Sequence, residues 1–254
     1  MVFKNGDTSY YVEDVVVRVL VVGSCGKKKA HSDLKEPKCH AIDKRRNISY
    51  WKRRFSKLSM PARDMYIGPQ NTELVKAVDM LRTIPGVTVQ FVILSAGFGI
   101  LQEYDLVPPY DCSFTSMNMA EVRKRSDVLR LKTSLTRMID GQFDFIYLAL
   151  GKRYLNAIGT DVLSMIRAPT VIFHGQSSEN LVRVPCASDT VKGFSKRGHK
   201  IHGVVGFKGD LLRILVSYAL GKQSPKNEVK KWTNTNHLRT IIYQLGGLNN
   251  PNVS

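Results

Sequence analysis

Three features of the sequence predict an α/β fold, three layers deep, with a mainly parallel four-stranded sheet at its centre. Four short apolar runs rich in β-branched residues recur along the chain. Segments with apolar residues at helical spacing separate them, and each run stops at a loop of glycine, serine or basic residues. In such sheets a ligand sits beyond the carboxyl ends of the strands. The four strand-end loops are therefore where function is expected.

The first element is a polar one: residues 1–14 read as a tail or a short hairpin. Residues 15–22 are almost unbroken in their apolar, β-branched character, as a strand covered on both faces requires. They run into Gly23-Ser24-Cys25-Gly26 and three lysines. Small residues expose backbone N–H groups, so this turn suits an anion, although the spacing of a Walker loop is absent. The plain alternative is an ordinary turn with solvated lysines.

A helix through Leu74, Val78 and Leu81 is stopped by Pro85-Gly86, and a second strand spans residues 87–94. Asn118 with Glu121 has the form of a capping box. It opens one helix whose core face is Val128, Leu131, Leu135, Met138 and Ile139. The third strand covers residues 143–150 and ends in Gly151-Lys152-Arg153-Tyr154, ahead of a short helix. The fourth covers 170–174 and ends in His174-Gly175-Gln176-Ser177. Residues 183–206 look irregular, with 193–200 basic and mobile. Leu211, Leu212, Leu215, Tyr218 and Ala219 mark a further helix, and residues 235–245 a last one.

At 254 residues the chain suits a single domain, with a basic insertion at about 27–63 and a basic helical extension at about 207–254. Its formal charge of +17 points to a nucleic-acid partner. The densest positive stretch, Lys27 to Arg63, holds thirteen Lys and Arg against three acids. Within it Arg45, Arg46, Arg53 and Arg54 flank Tyr50-Trp51, a mixture that suits phosphates and stacked bases. Trp51 and Phe55 read equally well as core residues beneath a solvated basic face. Lys28, Lys152, Arg153, Lys196 and Arg197 extend the expected DNA contact.

No run of about 18 apolar residues predicts a membrane span, and no signal segment opens the chain, so a cytoplasmic protein with reduced cysteines is expected. Cys25, His31, Cys39 and His40 are zinc-ligand types at irregular spacing, and neither a metal nor a cofactor is expected. No protein partner and no membrane is implied.

The stretch 93–113 carries the richest chemistry. A strand stops at Ser95-Ala-Gly97-Phe98-Gly99, then come Glu103, Tyr104, Asp105, the pair Pro108-Pro109, Tyr110 and Asp111. Glycines allow close backbone approach, and prolines stiffen the chain around them. This is read as the floor of a site, with Ser95 and Phe98 alternatively only shaping the turn, and Asp111 only capping one. Cys25 beside three lysines is a further, weaker nucleophile candidate.

Gly23-Ser-Cys-Gly-Lys-Lys28, Pro61-Ala-Arg-Asp-Met-Tyr-Ile-Gly68 and the run Leu94 to Asp111 resemble the motifs of the peroxide-stress YaaA-like family. That family is similar to the glycosylase-like domain of archaeosine synthase, within the uracil-DNA glycosylase superfamily. The three motifs cover about a third of the chain.

The resemblance implies a glycosylase-like domain that cuts the N-glycosidic bond of a modified base in DNA. A glucosylated hydroxymethylcytosine in phage DNA is one such target, which would make the protein an antiviral one. Two departures stand out: the first loop lacks a water-orienting acid, and the last lacks a proline. Asp111 is then expected to supply the missing carboxylate, with Asp105 second, and His174 to face the departing base or a phosphate. Phe98 with Tyr104 or Tyr110 would stack on a flipped base. Ser24, Lys27 and Ser177 would grip phosphates, with Cys25, Ser95 and Gln176 completing the pocket. The alternatives are a non-catalytic DNA-binding stress protein and a base-modifying enzyme of a deazaguanine pathway.

Overall fold

The computed structural model describes residues 16–31, 36–42, 45–140 and 143–248. The polar segment 1–14 and the side chains of Arg45 and Arg46 lie outside the described residues. Strands in chain order are β1 (Val17–Ser24), β2 (Met60–Pro61), β3 (Val87–Ser95), β4 (Gly99–Gln102), β5 (Leu106–Val107), β6 (Phe145–Leu148), β7 (Thr170–Ile172) and β8 (Leu181–Arg183). The four expected strands are β1, β3, β6 and β7, and they are mutually parallel. From Val19 to Val22 every residue of β1 is buried. Successive side chains point to opposite faces, so both faces of the sheet are covered.

The sheet has six strands rather than four, in the order β4-β3-β1-β6-β7-β8. The first addition is β4, which folds back antiparallel on β3 immediately after the Ser95–Gly99 turn. Gly99 makes that reversal at φ 85°, a conformation that a side chain would strain. The second is β8, a three-residue strand parallel to β7 and too short to announce itself in the sequence. A separate antiparallel pair joins β2 to β5.

The helices are α1 (Cys39–Ile42), α2 (Arg45–Arg54), α3 (Ala62–Met65), α4 (Pro69–Arg82), α5 (Met119–Leu129), α6 (Leu131–Ile139), α7 (Lys152–Ile158), α8 (Val162–Met165), α9 (Ser188–Lys196), α10 (Gly203–Leu220), α11 (Pro225–Lys231) and α12 (Thr235–Gly246). The capping box forms, with Asn118 accepting from the Glu121 N–H and Glu121 accepting from the Asn118 N–H. The helix it opens is not continuous. Arg130 takes a left-handed φ of 50° and splits it into α5 and α6. Val128, expected on the core face, is consequently 46% exposed. The segment 193–200, expected to be mobile, is helical as far as Lys196, and Phe194 of α9 is buried and packs 5.2 Å from Phe207 of α10. No helix among the described residues is long and apolar enough to cross a membrane.

The expectation of reduced cysteines does not hold for one pair. Lys38 bridges to Asp111, and the Asp111 N–H donates to the Pro37 carbonyl at 3.0 Å. This places Cys39 beside Cys112, Cα atoms 4.8 Å apart, in a disulfide. Cys25 and Cys186 are free.

Helices α4 and α10 touch almost backbone to backbone. A Cβ on Gly209 would meet the Gln70 carbonyl oxygen at 2.2 Å, with the Glu73 Cβ at 3.0 Å. Neither atom is the end of a flexible side chain. Gly209→Ala must push the helices apart, and a loss of about 1–3 kcal/mol is expected. Urea denaturation of the variant checks this, and an unchanged midpoint would show that the two helices have slack.

Candidate functional site

Beyond the carboxyl ends of β1 and β6 lies a cavity of about 450 Å³, within the range of small-ligand sites. The turn after β1 supplies Ser24, Cys25, Gly26, Lys27 and Lys28. The start of α4 brings Gly68, Pro69, Gln70 and Asn71, preceded by Tyr66. Gly151 and Tyr154 come from the turn after β6, and Val205 and Lys208 from the first turns of α10. Two of the four predicted loops thus meet here, joined by two helix starts.

The floor is a buried chain of hydroxyl and thiol groups. Ser95 Oγ accepts from the N–H groups of Gly97 and Phe98, at 3.1 and 3.0 Å. It also bonds the Tyr110 hydroxyl at 2.7 Å, which bonds Tyr66 at 2.9 Å. Cys25 Sγ accepts from the Ala96 N–H at 3.1 Å and lies 3.3 Å from the Tyr154 hydroxyl, which in turn meets Ser113 at 3.2 Å. Burial first, and the nearby Cys25 second, push the Tyr66, Tyr110 and Tyr154 phenols upward, so all three keep their protons. Lys29 is also buried; its amine stands 4.5 Å over the Tyr110 ring and donates to the Gly26 carbonyl.

The wall is cationic. Lys27, Lys28 and Lys208 line it, and no carboxylate or histidine does among the described residues. Lys208 is only 9% exposed. Burial pulls its amine below the usual lysine value, and its nearest aromatic contact is the Phe173 ring at 5.9 Å. The carboxylates close by are committed elsewhere. Asp210 accepts from His202, and Glu73 is paired with Lys76 and Arg213.

Of the predicted site residues, Ser24, Cys25, Lys27 and Lys28 line the cavity, while Ser95 and Tyr110 are buried behind it and reach it only through the Tyr66 hydroxyl. Asp111 does not reach it. Tyr110 and Cys112 on either side are buried, and in extended chain the alternation throws Asp111 outward to solvent. Asp105 closes a tight turn by accepting from the Gln102 N–H at 2.8 Å. Tyr104 is 63% exposed and holds Arg63 through its hydroxyl and ring. Phe98 is half-buried, packs edge-on against Tyr110 at 4.9 Å and does not line the cavity.

The remaining predictions scatter. His174 is half-buried and senses Lys208, Arg183 and Lys152, so it stands near the cavity without lining it. Gln176 is exposed. Ser177 accepts from the Arg183 N–H at 3.2 Å and borders a different concavity with Arg167, Asn234 and Arg239. Lys152 is exposed next to the cavity's Gly151, and Arg153 donates to the Thr115 carbonyl. Arg53 is exposed, while Arg54 bonds the Tyr50 hydroxyl at 2.7 Å. Lys196 and Arg197, at the end of α9, are exposed and do not line the cavity.

Sequence reasoning missed Tyr66, Gln70, Asn71, Tyr154 and Lys208. Gly68-Pro69 is a helix-start signal that would have aimed Gln70 and Asn71 at the strand ends. A lone lysine between Phe207 and Gly209 in an apolar helix was the trace of Lys208.

Burial, then Lys208, Arg183 and Lys152, lowers the His174 pKa. The unfolded imidazole therefore takes its proton more readily, so stability falls as pH drops through the unfolded value of about 6.5. His174→Gln should flatten this acid limb. Denaturation midpoints between pH 5 and 7 measure it, and an unchanged slope would contradict the assignment. No protein-family model matches this chain, and no curated protein matches it.

Proposed function

We propose that the protein is a DNA glycosylase: it binds DNA, draws one nucleotide into the cavity and hydrolyses the bond between sugar and base, one water molecule giving its hydroxyl to the sugar's anomeric carbon and a proton to the departing base. The observation that carries this reading is the cavity itself. It is nucleotide-scale, walled by lysines, amides and phenol rings, and set in a chain of charge +17. The resemblance of the Gly23–Lys28, Pro61–Gly68 and Leu94–Asp111 segments to YaaA-like and glycosylase-like proteins points the same way, with a modified base of phage DNA as the target.

Without a carboxylate in the described wall, the mechanism differs from the one expected of Asp111. Cleavage of an N-glycosidic bond develops positive charge on the sugar and negative charge on the leaving base. Lys208, desolvated and paired with no acid among the described residues, stands where it can stabilise the base as it departs. The strand's own phosphates favour the cationic sugar, and Lys27 and Lys28 hold those phosphates in place.

A second reading is favoured by one specific observation. A wall whose described residues include neither an acid nor a histidine also suits a protein that only binds nucleic acid.

Incubating the protein with modified and unmodified DNA, then treating with alkali, turns abasic sites into strand breaks. Breaks on a modified DNA are expected from the wild type and from Asp111→Asn alike. Lys208→Met should cut at least about a hundredfold more slowly, in line with losing one charge-stabilising group. The same variant should melt at higher temperature, because it removes a buried charge. Salt-dependent binding with no breaks on any DNA would establish the binding-only reading instead.

A further inference from the structure

A buried lysine that touches no acid can act as more than a charge. Lys208 is 9% exposed and lines the cavity from α10. Among the described residues its amine makes no hydrogen bond and no ion pair. The Phe173 ring is 5.9 Å away, and the Asp210 carboxylate is taken by His202. Yet the amine is not sealed in. Inaccessible side-chain atoms without a partner occur at Asn71, Glu228 and Trp232, and the Lys208 amine is not one of them. It keeps open surface, and the cavity is what it borders.

The other lysines of this region are placed differently. Lys27 and Lys28 are exposed, and as solvated cations they suit phosphates. Lys29 is buried, but its amine donates to the Gly26 carbonyl and stands over the Tyr110 ring. Lys208 alone joins burial, an unbonded amine and a place in the wall. Burial strips water from its ammonium form and no carboxylate replaces that water, so the neutral amine with its lone pair is within reach. Such an amine is a nucleophile toward carbonyl carbon. Removing a base from DNA makes a carbonyl, because the abasic sugar opens to an aldehyde at C1′. A group facing the departing base stands one bond from that carbon. Once the negative charge of the base has left, no described group of the wall favours ammonium over amine.

We infer that Lys208 is the nucleophile of a second activity, in which it condenses with the aldehyde of an abasic sugar and cleaves the DNA strand on the 3′ side of that sugar. The inference rests on the proposed reading that a DNA nucleotide enters the cavity, and adds a reaction to it. The amine adds to C1′, takes up a proton and loses water, giving a protonated imine. That cation acidifies C2′, whose proton passes to water. The C3′–O bond then breaks, and the 3′ phosphate leaves with the bonding pair. Water adds to the imine carbon and frees the lysine, leaving an unsaturated aldehyde on the 5′ fragment. No oxidant or metal is needed.

The test uses the full chain and a DNA duplex carrying one preformed abasic site, so it does not depend on excision of any base. Sodium borohydride reduces the imine to a stable amine and captures protein and DNA as one covalent species. The wild type is expected to give that species, and without borohydride to break the strand with no alkali. Mass spectrometry of the digested adduct should place the sugar remnant on Lys208, and Lys208→Met should lose the adduct. No adduct, an adduct on another lysine, or an undiminished adduct in Lys208→Met would overturn the inference. The mapping on wild-type protein holds whether or not the variant folds. An adduct on Lys208 with no lesions in any modified DNA would sink base excision and leave the strand-cleaving lysine intact. Alkali-dependent lesions in modified DNA with no adduct would do the reverse.

Discussion

The structure depends on how β3 ends. Its last residues and the turn after it are largely buried, so the polar backbone of Ser95 to Gly99 cannot be satisfied by water. Side chains, one from the turn itself and others from distant parts of the chain, meet much of it. Ser95 Oγ takes two N–H groups of the turn, Cys25 takes the Ala96 N–H, and the Arg125 guanidinium takes the carbonyls of Ala96 and Gly97. Arg125 also reaches the Cys39 carbonyl at 3.2 Å, and burial pulls its pKa down to about 10. Segments from β1, α5 and the 110–113 loop are thus drawn to one point. The cavity floor is what that convergence leaves behind.

The positive charge of the chain has a structural counterpart in where its acids go. Glu103 is buried between Arg63 and Arg82, and Arg63 also reaches Asp79. Glu73, Asp210 and Glu228 are buried and tied to Arg213, His202 or lysines. Acids held in this way stiffen the packing around α4 and α10 while leaving the described lining of the cavity to lysines. Such buried pairs do not by themselves add much stability. Their effect here is to keep negative charge out of the wall.

Much of the scaffold could be read in advance, because burial on both faces leaves a plain mark. The four parallel strands and the capping box at Asn118 arise from runs of β-branched residues and from one local hydrogen-bond pattern. The site was harder for a physical reason. Asp111, Asp105 and Tyr104 belong to the richest stretch of the sequence, yet composition does not say which way an extended side chain points. Alternation sends Asp111 out and Tyr110 in. Lys208 and Asn71 lie on helices that the fold brings to the strand ends, far from the motif in sequence. A single lysine in an apolar helix, or an asparagine after proline, signals little until tertiary packing gives it neighbours. The Cys39–Cys112 pairing was hidden for the same reason, since it needs the Lys38–Asp111 bridge to bring the two together.

The contact of Gly209 with the Gln70 carbonyl bears on how such a cavity could change over time. Where side chains set a pocket's width, one substitution can widen or narrow it. Here two of the elements that line it, α4 and α10, are already in backbone contact, and the residue at that contact is the smallest there is. New specificities would then arise more readily by exchanging the groups that face the cavity, at Gln70, Thr115 or Val205, than by resizing it. The same close contact ties Gln70 to Lys208 across a short span of backbone, so a shift of either helix moves both residues together.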